Sequence, residues 1–198
     1  MRALATVTSL LLSTALLLIA HGMQLTLLPL RASANGLSDF MIGISASCYF
    51  LGFIVGCIGV PATIARAGHI RSFAVLTAVM TSAILCVEML DDWQFLLVLR
   101  FLTGMAIAGL YTVIESWLNS QATAESRGRI LSIYTFILLL SMALGQALIN
   151  VGPIESATPF TLAAVFMVLA IVPVGLTRKL APAPVEATRV SFSLLYRR

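Results

Sequence analysis

Long uncharged runs dominate this chain. Four stretches of more than 20 residues contain no Asp, Glu, Lys or Arg, at positions 3–30, 40–65, 130–154 and 156–177. A helix needs about 20 consecutive apolar residues to cross a hydrocarbon core of about 30 Å, whereas a barrel strand needs only about 10 alternating ones. Runs of this length therefore predict membrane-spanning helices.

Two further apolar stretches, each containing ionisable residues, raise the number of predicted helices to six. The predicted spans are residues 5–30, 40–64, 72–90, 93–118, 130–151 and 157–177. Composition agrees, because only 10% of the 198 residues are charged, against about 25% in a soluble domain. We expect an all-α, polytopic bundle of six transmembrane helices in a lipid bilayer. Residues 178–198 contain Pro182 and Pro184 and predict a basic cytoplasmic tail or an interdomain linker.

Basic residues predict the orientation, because cytoplasmic loops retain Lys and Arg. With the N-terminus inside, Arg31 is the only basic residue of the loops and termini on the outer side. Arg100 lies within a span. The cytoplasmic set is Arg2, Arg66, Arg71, Arg127, Arg129, Arg178, Lys179, Arg189, Arg197 and Arg198. Both termini are then cytoplasmic. The net charge of +4 follows from this topology, and we expect no nucleic-acid partner.

Arg100 is the most unusual residue of the predicted spans. It lies seven residues after Trp93, about 10 Å along the helix, where an ionised side chain costs about 2.5–3.5 kcal/mol. Two interpretations follow. Arg100 contacts an anionic substrate or a carboxylate in a cavity, or it fixes helix packing by pairing with backbone or with Glu88. Glu88 itself lies nearer the outer interface, where it is a solvated residue or a proton carrier.

Glu115 lies near the predicted cytoplasmic end of the fourth helix, in reach of Arg71, Arg127 or Arg129. One hypothesis is an ion pair that closes the cytoplasmic side and breaks when the bundle moves. The alternative is a static interfacial salt bridge, which contributes little to stability.

Uncharged polar side chains also lie in the spans. His21, Gln24 and Gln146 either form hydrogen bonds between helices or contribute to a site near the membrane midplane. No sequence motif of a hydrolase, a metalloprotease or a phosphate-binding loop occurs, and no Cys/His cluster suggests a metal site. We therefore expect no enzyme activity, no metal and no cofactor.

Several of these segments resemble a known family. The loop Arg66-Ala67-Gly68-His69-Ile70-Arg71 is similar to the short basic loop of the major facilitator superfamily, although Pro61 and Ala65 depart from its pattern. Leu99-Arg100-Phe101 with Gly104 is similar to that superfamily's fourth-helix motif R-x-x-x-G. Residues 109–119, with Arg127-Gly128-Arg129 and Gly145-Gln146, resemble its YcaD-like branch of bacterial inner-membrane transporters.

This resemblance implies a fold and a function. The chain would be the N-terminal six-helix half of a transporter, built as 3+3 inverted repeats, or a truncated form. It would act in secondary transport of a small solute by alternating access. Arg100 would then take part in proton coupling. Completion of the site would require a second six-helix half or a homodimer. The alternative is a non-transporting six-helix membrane subunit or scaffold. The cytoplasmic gate would comprise Glu115, Asn119, Arg66, Gly68, Arg71, Arg127 and Arg129.

Overall fold

The structure, a computed structural model, describes residues 2–89 and 92–176, without the side chains of residues 2–6 and of Glu88. The predicted tail at 178–198 lies outside the described residues. Six helical segments are long and apolar enough to cross a membrane, as the sequence predicts. The helices are α1 Arg2–Ala34, α2 Asp39–Ala67, α3 His69–Met89, α4 Trp93–Gln121, α5 Arg127–Leu148, α6 Thr158–Leu169 and the short α7 Ile171–Gly175.

Several helices extend beyond the predicted spans. For example, α2 and α4 each contain 29 residues, about 43 Å at 1.5 Å per residue, which exceeds the hydrocarbon thickness. Polar caps begin both helices: the Ser38 side chain accepts from the Met41 N–H at 3.4 Å and Asp92 accepts from Gln94 N–H at 2.9 Å. Such capping satisfies N–H groups that have no partner within the helix.

The helix contacts repeat with an internal symmetry. Helix α2 packs most extensively on α4, and α1 packs on α5; α3 packs on α4, and α1 on α6. If α1, α2 and α3 are exchanged with α4, α5 and α6, respectively, each of these contacts becomes another contact of the same set. Three membrane crossings precede α4, so the second group of three helices has the opposite orientation in the membrane to the first. The contacts therefore form the 3+3 inverted repeat that the family resemblance implies.

Close backbone contacts at glycines form the crossing between α2 and α4. A Cβ added at Gly52 would overlap the carbonyl group of Phe101, and one added at Gly104 would overlap that of Tyr49. Gly56, one turn further along α2, lies equally close to Met105. Each helix thus admits the backbone of the other, as small residues allow in membrane bundles.

The crossing between α1 and α5 has the same construction. Gly145 lies against the Ile19 backbone, and Gly22 lies against the Met142 backbone. The repeat symmetry equates α4 with α1 and α2 with α5, so Gly104 matches Gly22 and Gly52 matches Gly145. The core of the bundle lies beside these crossings and includes Phe73, Leu110 and Trp117, all of which are fully buried.

We predict that Gly104→Ala and Gly145→Ala each destabilise the bundle. The new methyl group must displace backbone, and overpacking of this kind costs about 1–3 kcal/mol. At about 2–4 °C per kcal/mol, the melting temperature measured by size-exclusion chromatography of heated, detergent-solubilised protein falls by about 2–12 °C. Gly59→Ala is the matched control: no atom lies within 4 Å of its Cβ, and helix propensity favours Ala. An equal loss in all three variants would contradict this account.

Candidate functional site

Four polar side chains meet where α1, α2 and α4 approach one another. His21 and Gln24 come from α1, Tyr49 from α2 and Arg100 from α4, and we call them the Arg100 cluster. All four are buried, with exposed fractions of 1–6%. His21, Gln24 and Tyr49 belong to no recognisable sequence motif. Tyr49 is also not among the residues that the sequence predicts for the site.

Arg100 stacks on an aromatic ring. Its guanidinium carbon lies 4.7 Å from the centroid of the Tyr49 ring. A cation–π contact of this kind contributes about 2 kcal/mol when it is desolvated. The Nε atom of Arg100 is buried and has no hydrogen-bond partner. Among the described side chains, which do not include that of Glu88, no carboxylate forms an ion pair with Arg100.

Tyr49 also connects Arg100 to α1. The Tyr49 hydroxyl lies 3.3 Å from His21 Nε2, and the two rings are nearly parallel, with 6.3 Å between centroids. The other ring nitrogen, His21 Nδ1, and both amide atoms of Gln24 are buried and form no hydrogen bond of regular geometry, although the Gln24 side chain lies close enough to His21 to interact with it. A buried polar atom left unpaired costs about 1–3 kcal/mol. This unused hydrogen-bonding capacity makes the cluster a candidate binding site.

The glycine crossing explains the position of Tyr49. Gly104 follows Arg100 by one helical turn, and it accommodates the Tyr49 carbonyl group. This approach brings the Tyr49 ring to the level of Arg100. On α1, His21 and Gln24 are three residues apart and therefore lie on the same face of that helix.

Two other predicted substrate or coupling residues lie apart from these contacts. Gln146 is exposed on α5, and within the described part of the chain no hydrogen bond joins it to the Arg100 cluster. The Glu88 side chain lies outside the described residues, so its pairing with Arg100 stays a prediction.

The opposite end of α4 lies in a region that we call the basic end, defined by Arg66, Arg71, Arg127 and Arg129. All four arginines are exposed. Gly68 ends α2 with a φ of +81°, in the left-handed region that glycine adopts without strain. Its turn brings in the next residue, His69, which the sequence analysis left without a partner.

His69 anchors this turn to α4. It is fully buried, its Nε2 lies 3.1 Å from the Ser116 hydroxyl, and its ring lies 6.0 Å from that of Trp117. Both partners belong to the segment Glu115-Ser116-Trp117 that was singled out from the sequence. The sequence shows a histidine directly after a glycine turn. It does not show that this histidine contacts α4.

Glu115 has a different partner from those predicted. Its Oε1 accepts a hydrogen bond of 3.2 Å from the Tyr134 hydroxyl of α5. In the parts of the chain that the structure describes, none of the arginines at the basic end forms an ion pair with Glu115. Asn119, one turn further on, is half-buried. The ion-pair latch therefore stays a prediction, and the observed contact is between a carboxylate and a phenol.

Across residues 2–89 and 92–176, no group of three or more His, Cys, Asp or Glu residues is placed to hold a metal ion. The Arg100 cluster offers guanidinium, imidazole, amide and phenol groups. These groups can bind a polar or anionic molecule and accept or release a proton.

Comparison with known proteins identifies the family. The sequence model of the Major Facilitator Superfamily matches residues 10–194. The chain belongs to the major facilitator superfamily. As a member with six apolar helices, it is an integral membrane protein.

Its relatives carry transporter names. The uncharacterised MFS-type transporter Ent638_1421 of Enterobacter sp. (strain 638) is 27% identical over 163 residues, which cover 82% of this chain and 43% of the relative. The uncharacterised MFS-type transporter YcaD of Escherichia coli O139:H28 is 29% identical over 135 residues, which cover 68% of this chain and 35% of the relative. The chain thus spans less than half the length of these relatives.

We predict that Tyr49→Phe and Tyr49→Leu differ in their effects. Phenylalanine keeps the ring beneath Arg100 and removes only the hydroxyl near His21, which costs about 1–3 kcal/mol. Leucine also removes the cation–π contact, worth about 2 kcal/mol, and leaves a void. Thermal unfolding in detergent should therefore rank wild type above Tyr49→Phe and Tyr49→Phe above Tyr49→Leu. Equal stability of the two variants would show that Arg100 does not depend on the ring.

Proposed function

We propose that this chain is the N-terminal half of a secondary active transporter that moves a small solute by alternating access. The observation that carries the proposal is the burial of Arg100, which has no ion-pair partner among the described side chains, in a member of a transporter superfamily. An ionised group at this depth is expensive in lipid and marks a functional site in most membrane proteins. A transported anion would supply a counter-charge.

His21 gives this site a link to protons. Its ring lies next to Tyr49, and Tyr49 lies next to Arg100. A proton on His21 would add a second positive charge close to Arg100, and an anion in the site would attract both. Proton binding and anion binding would therefore favour each other, since coupling between two ligands is reciprocal. This arrangement supports the proposal of proton-coupled transport of an anion.

A second six-helix unit would complete the transporter. Only six of the 29 residues of α2 and three of the 22 residues of α5 are buried, although both helices are apolar. Their exposed side chains include Phe50, Ile54, Phe136 and Leu139. Lipid covers part of this surface in the proposed assembly, and a second half or a second copy of the chain covers the rest.

The basic end would face the cytoplasm of a bacterial cell, in the inner membrane, since positively charged loops stay inside. It would form the cytoplasmic gate, with Glu115, Asn119 and Gly68 beside the four arginines. The bond between Glu115 and Tyr134 would hold α4 to α5 in one access state. A change of partner from Tyr134 to an arginine would accompany the other state.

We predict that Arg100 is required for solute-driven proton movement. The protein, with any chain that co-purifies, is reconstituted into liposomes containing a pH-sensitive dye and exposed to a panel of carboxylates, phosphate esters, sugars and amino acids. At least one anionic solute should change the internal pH. Arg100→Gln should lower the initial rate at least tenfold, and Arg100→Lys should fall between the two, because lysine keeps the charge but lacks the planar group that stacks on Tyr49.

Arg31→Gln is the control for loss of an arginine. Arg31 bonds to the Ile154 carbonyl and stacks on Phe160, at the opposite end of the bundle from the basic end, and its loss should change the rate by less than about twofold. Correctly folded protein that moves no solute of the panel, alone or with a co-purifying chain, would contradict the proposal. It would favour a non-transporting membrane subunit.

We also predict the orientation from accessibility. In a background with Cys48, Cys57 and Cys86 replaced by serine, a cysteine at Glu125 should react with a membrane-impermeant maleimide only after the cells are opened. A cysteine at Asn35 should react in intact cells. Both positions lie in exposed connections between helices, so both react when the membrane is permeable. The reverse pattern would show that the basic end faces outward.

A further inference from the structure

An open cavity of about 310 Å³ lies between α2, α4 and α5, on the half of the bundle nearer the basic end. One end of the cavity adjoins the Arg100 cluster, because Phe53 follows Tyr49 by one helical turn and Tyr111 interacts electrostatically with Tyr49. Glu115, at the other end, follows Arg100 by 15 residues on α4, or about 22 Å along the helix. Its walls are mainly apolar, with contributions from Phe53, Leu138 and Ala108. Its volume is at the lower limit for pockets that hold small organic ligands.

The cavity combines two aromatic rings with one carboxylate. The rings of Phe53 and Tyr111 have centroids 6.5 Å apart and are tilted by 58°, so they form two adjoining walls. Glu115 lies one helical turn beyond Tyr111 on α4, and its carboxylate borders the same space. Aromatic faces are electron-rich and attract cations, with ammonium groups as common partners.

The carboxylate has spare capacity for a cation. Tyr134 donates to Oε1 of Glu115, and among the described residues no group donates to Oε2. The hydroxyl of Thr112, also in the cavity wall, already bonds to the Ala108 carbonyl. The polar groups left to a ligand are therefore the Glu115 carboxylate, the Tyr111 hydroxyl and the Cys57 thiol, while the remaining walls suit hydrocarbon.

The arginines at the basic end do not fill this role in the structure. All four are exposed, and within the described ranges none of them forms an ion pair with Glu115. Exposed charges are also screened by salt over about 8–10 Å, so they weaken the local field of the carboxylate only in part. A ligand inside the cavity would contact the carboxylate directly.

We propose that this cavity is a binding site for a small organic ammonium ion, whose charge lies at Glu115 and whose alkyl groups contact Phe53 and Tyr111. Binding at this site does not require solute flux, although Glu115 also belongs to the proposed cytoplasmic gate. Neutral molecules of the same shape lack the charge that Glu115 recognises.

Choline serves as the probe, and its uncharged carbon analogue 3,3-dimethylbutan-1-ol serves as the shape control. Binding is measured at equilibrium by isothermal titration of the purified full chain in lipid nanodiscs, with no ion gradient. We expect choline to bind with a dissociation constant below about 1 mM, or about −4 kcal/mol, and at least tenfold more tightly than the analogue. Glu115→Gln should weaken choline binding at least tenfold, and Phe53→Leu at least threefold.

Two variants separate this role from general effects. Glu125→Gln removes another carboxylate from the connection between α4 and α5, where Glu125 is exposed, and should leave binding within about twofold. Tyr134→Phe removes a donor to Glu115 without removing the charge and should preserve or tighten binding. A folded wild type that does not bind choline at about 10 mM would overturn the proposal. Equal binding of the two probes, or normal binding by folded Glu115→Gln, would do the same.

The outcome is independent of the transport assay. Absence of solute flux would overturn the proposed function without changing these affinities. Loss of ammonium binding would leave the Arg100 cluster and its flux assay unaffected.

Discussion

Backbone contact at glycines is the constraint on which the rest of this bundle depends. In lipid, apolar side chains gain little by leaving hydrocarbon for the surface of another helix, so helices associate through close packing and hydrogen bonds. Here the backbones of α2 and α4 meet at Gly52 and Gly104, and those of α1 and α5 meet at Gly22 and Gly145. The first contact also brings Tyr49 to Arg100. The packing of the fold and the composition of its polar cluster thus have one origin, which is the absence of side chains at a few positions.

Arg100 and Glu115, both on α4, place a charge in the membrane in different surroundings. Arg100 is buried, and its guanidinium lies over the ring of Tyr49. Glu115 faces an open cavity and uses a phenol as its partner. Phenols suit both situations because the ring face attracts a cation and the hydroxyl donates to an anion. Arg100 and Glu115 lie about 22 Å apart along α4, too far to pair with each other, and tyrosines of α2 and α5 contact them instead.

The six helices could be predicted because hydropathy is a local property, readable from about 20 consecutive residues. The depth and chemistry of Arg100, His21 and Gln24 also follow from their positions along single helices. Their partners do not. Tyr49 and Arg100 are 51 residues apart in the chain, and their contact depends on the rotation of α2 against α4 at the glycine crossing. For Glu115, charge alone suggested an arginine, whereas packing of α4 beside α5 brought Tyr134 closer. The sequence predicts that each helix exists, but it does not predict the rotation of the helix about its axis, which determines the neighbours of each side chain.

The inverted repeat has a consequence for how the bundle assembles during synthesis. Apart from α3 and α4, consecutive helices make few contacts with each other, and the glycine contacts join helices that leave the ribosome at different times. Gly52 is synthesised before Gly104, and Gly22 is synthesised before Gly145, so the earlier glycine of each crossing has no partner at first. At about 5–20 residues per second, these intervals are roughly 3–10 s and 6–25 s. During these intervals the glycine surfaces of α1 and α2 have no native partner helix. A chaperone or lipid that covers these surfaces temporarily would therefore act on the nascent chain, before the native contacts exist.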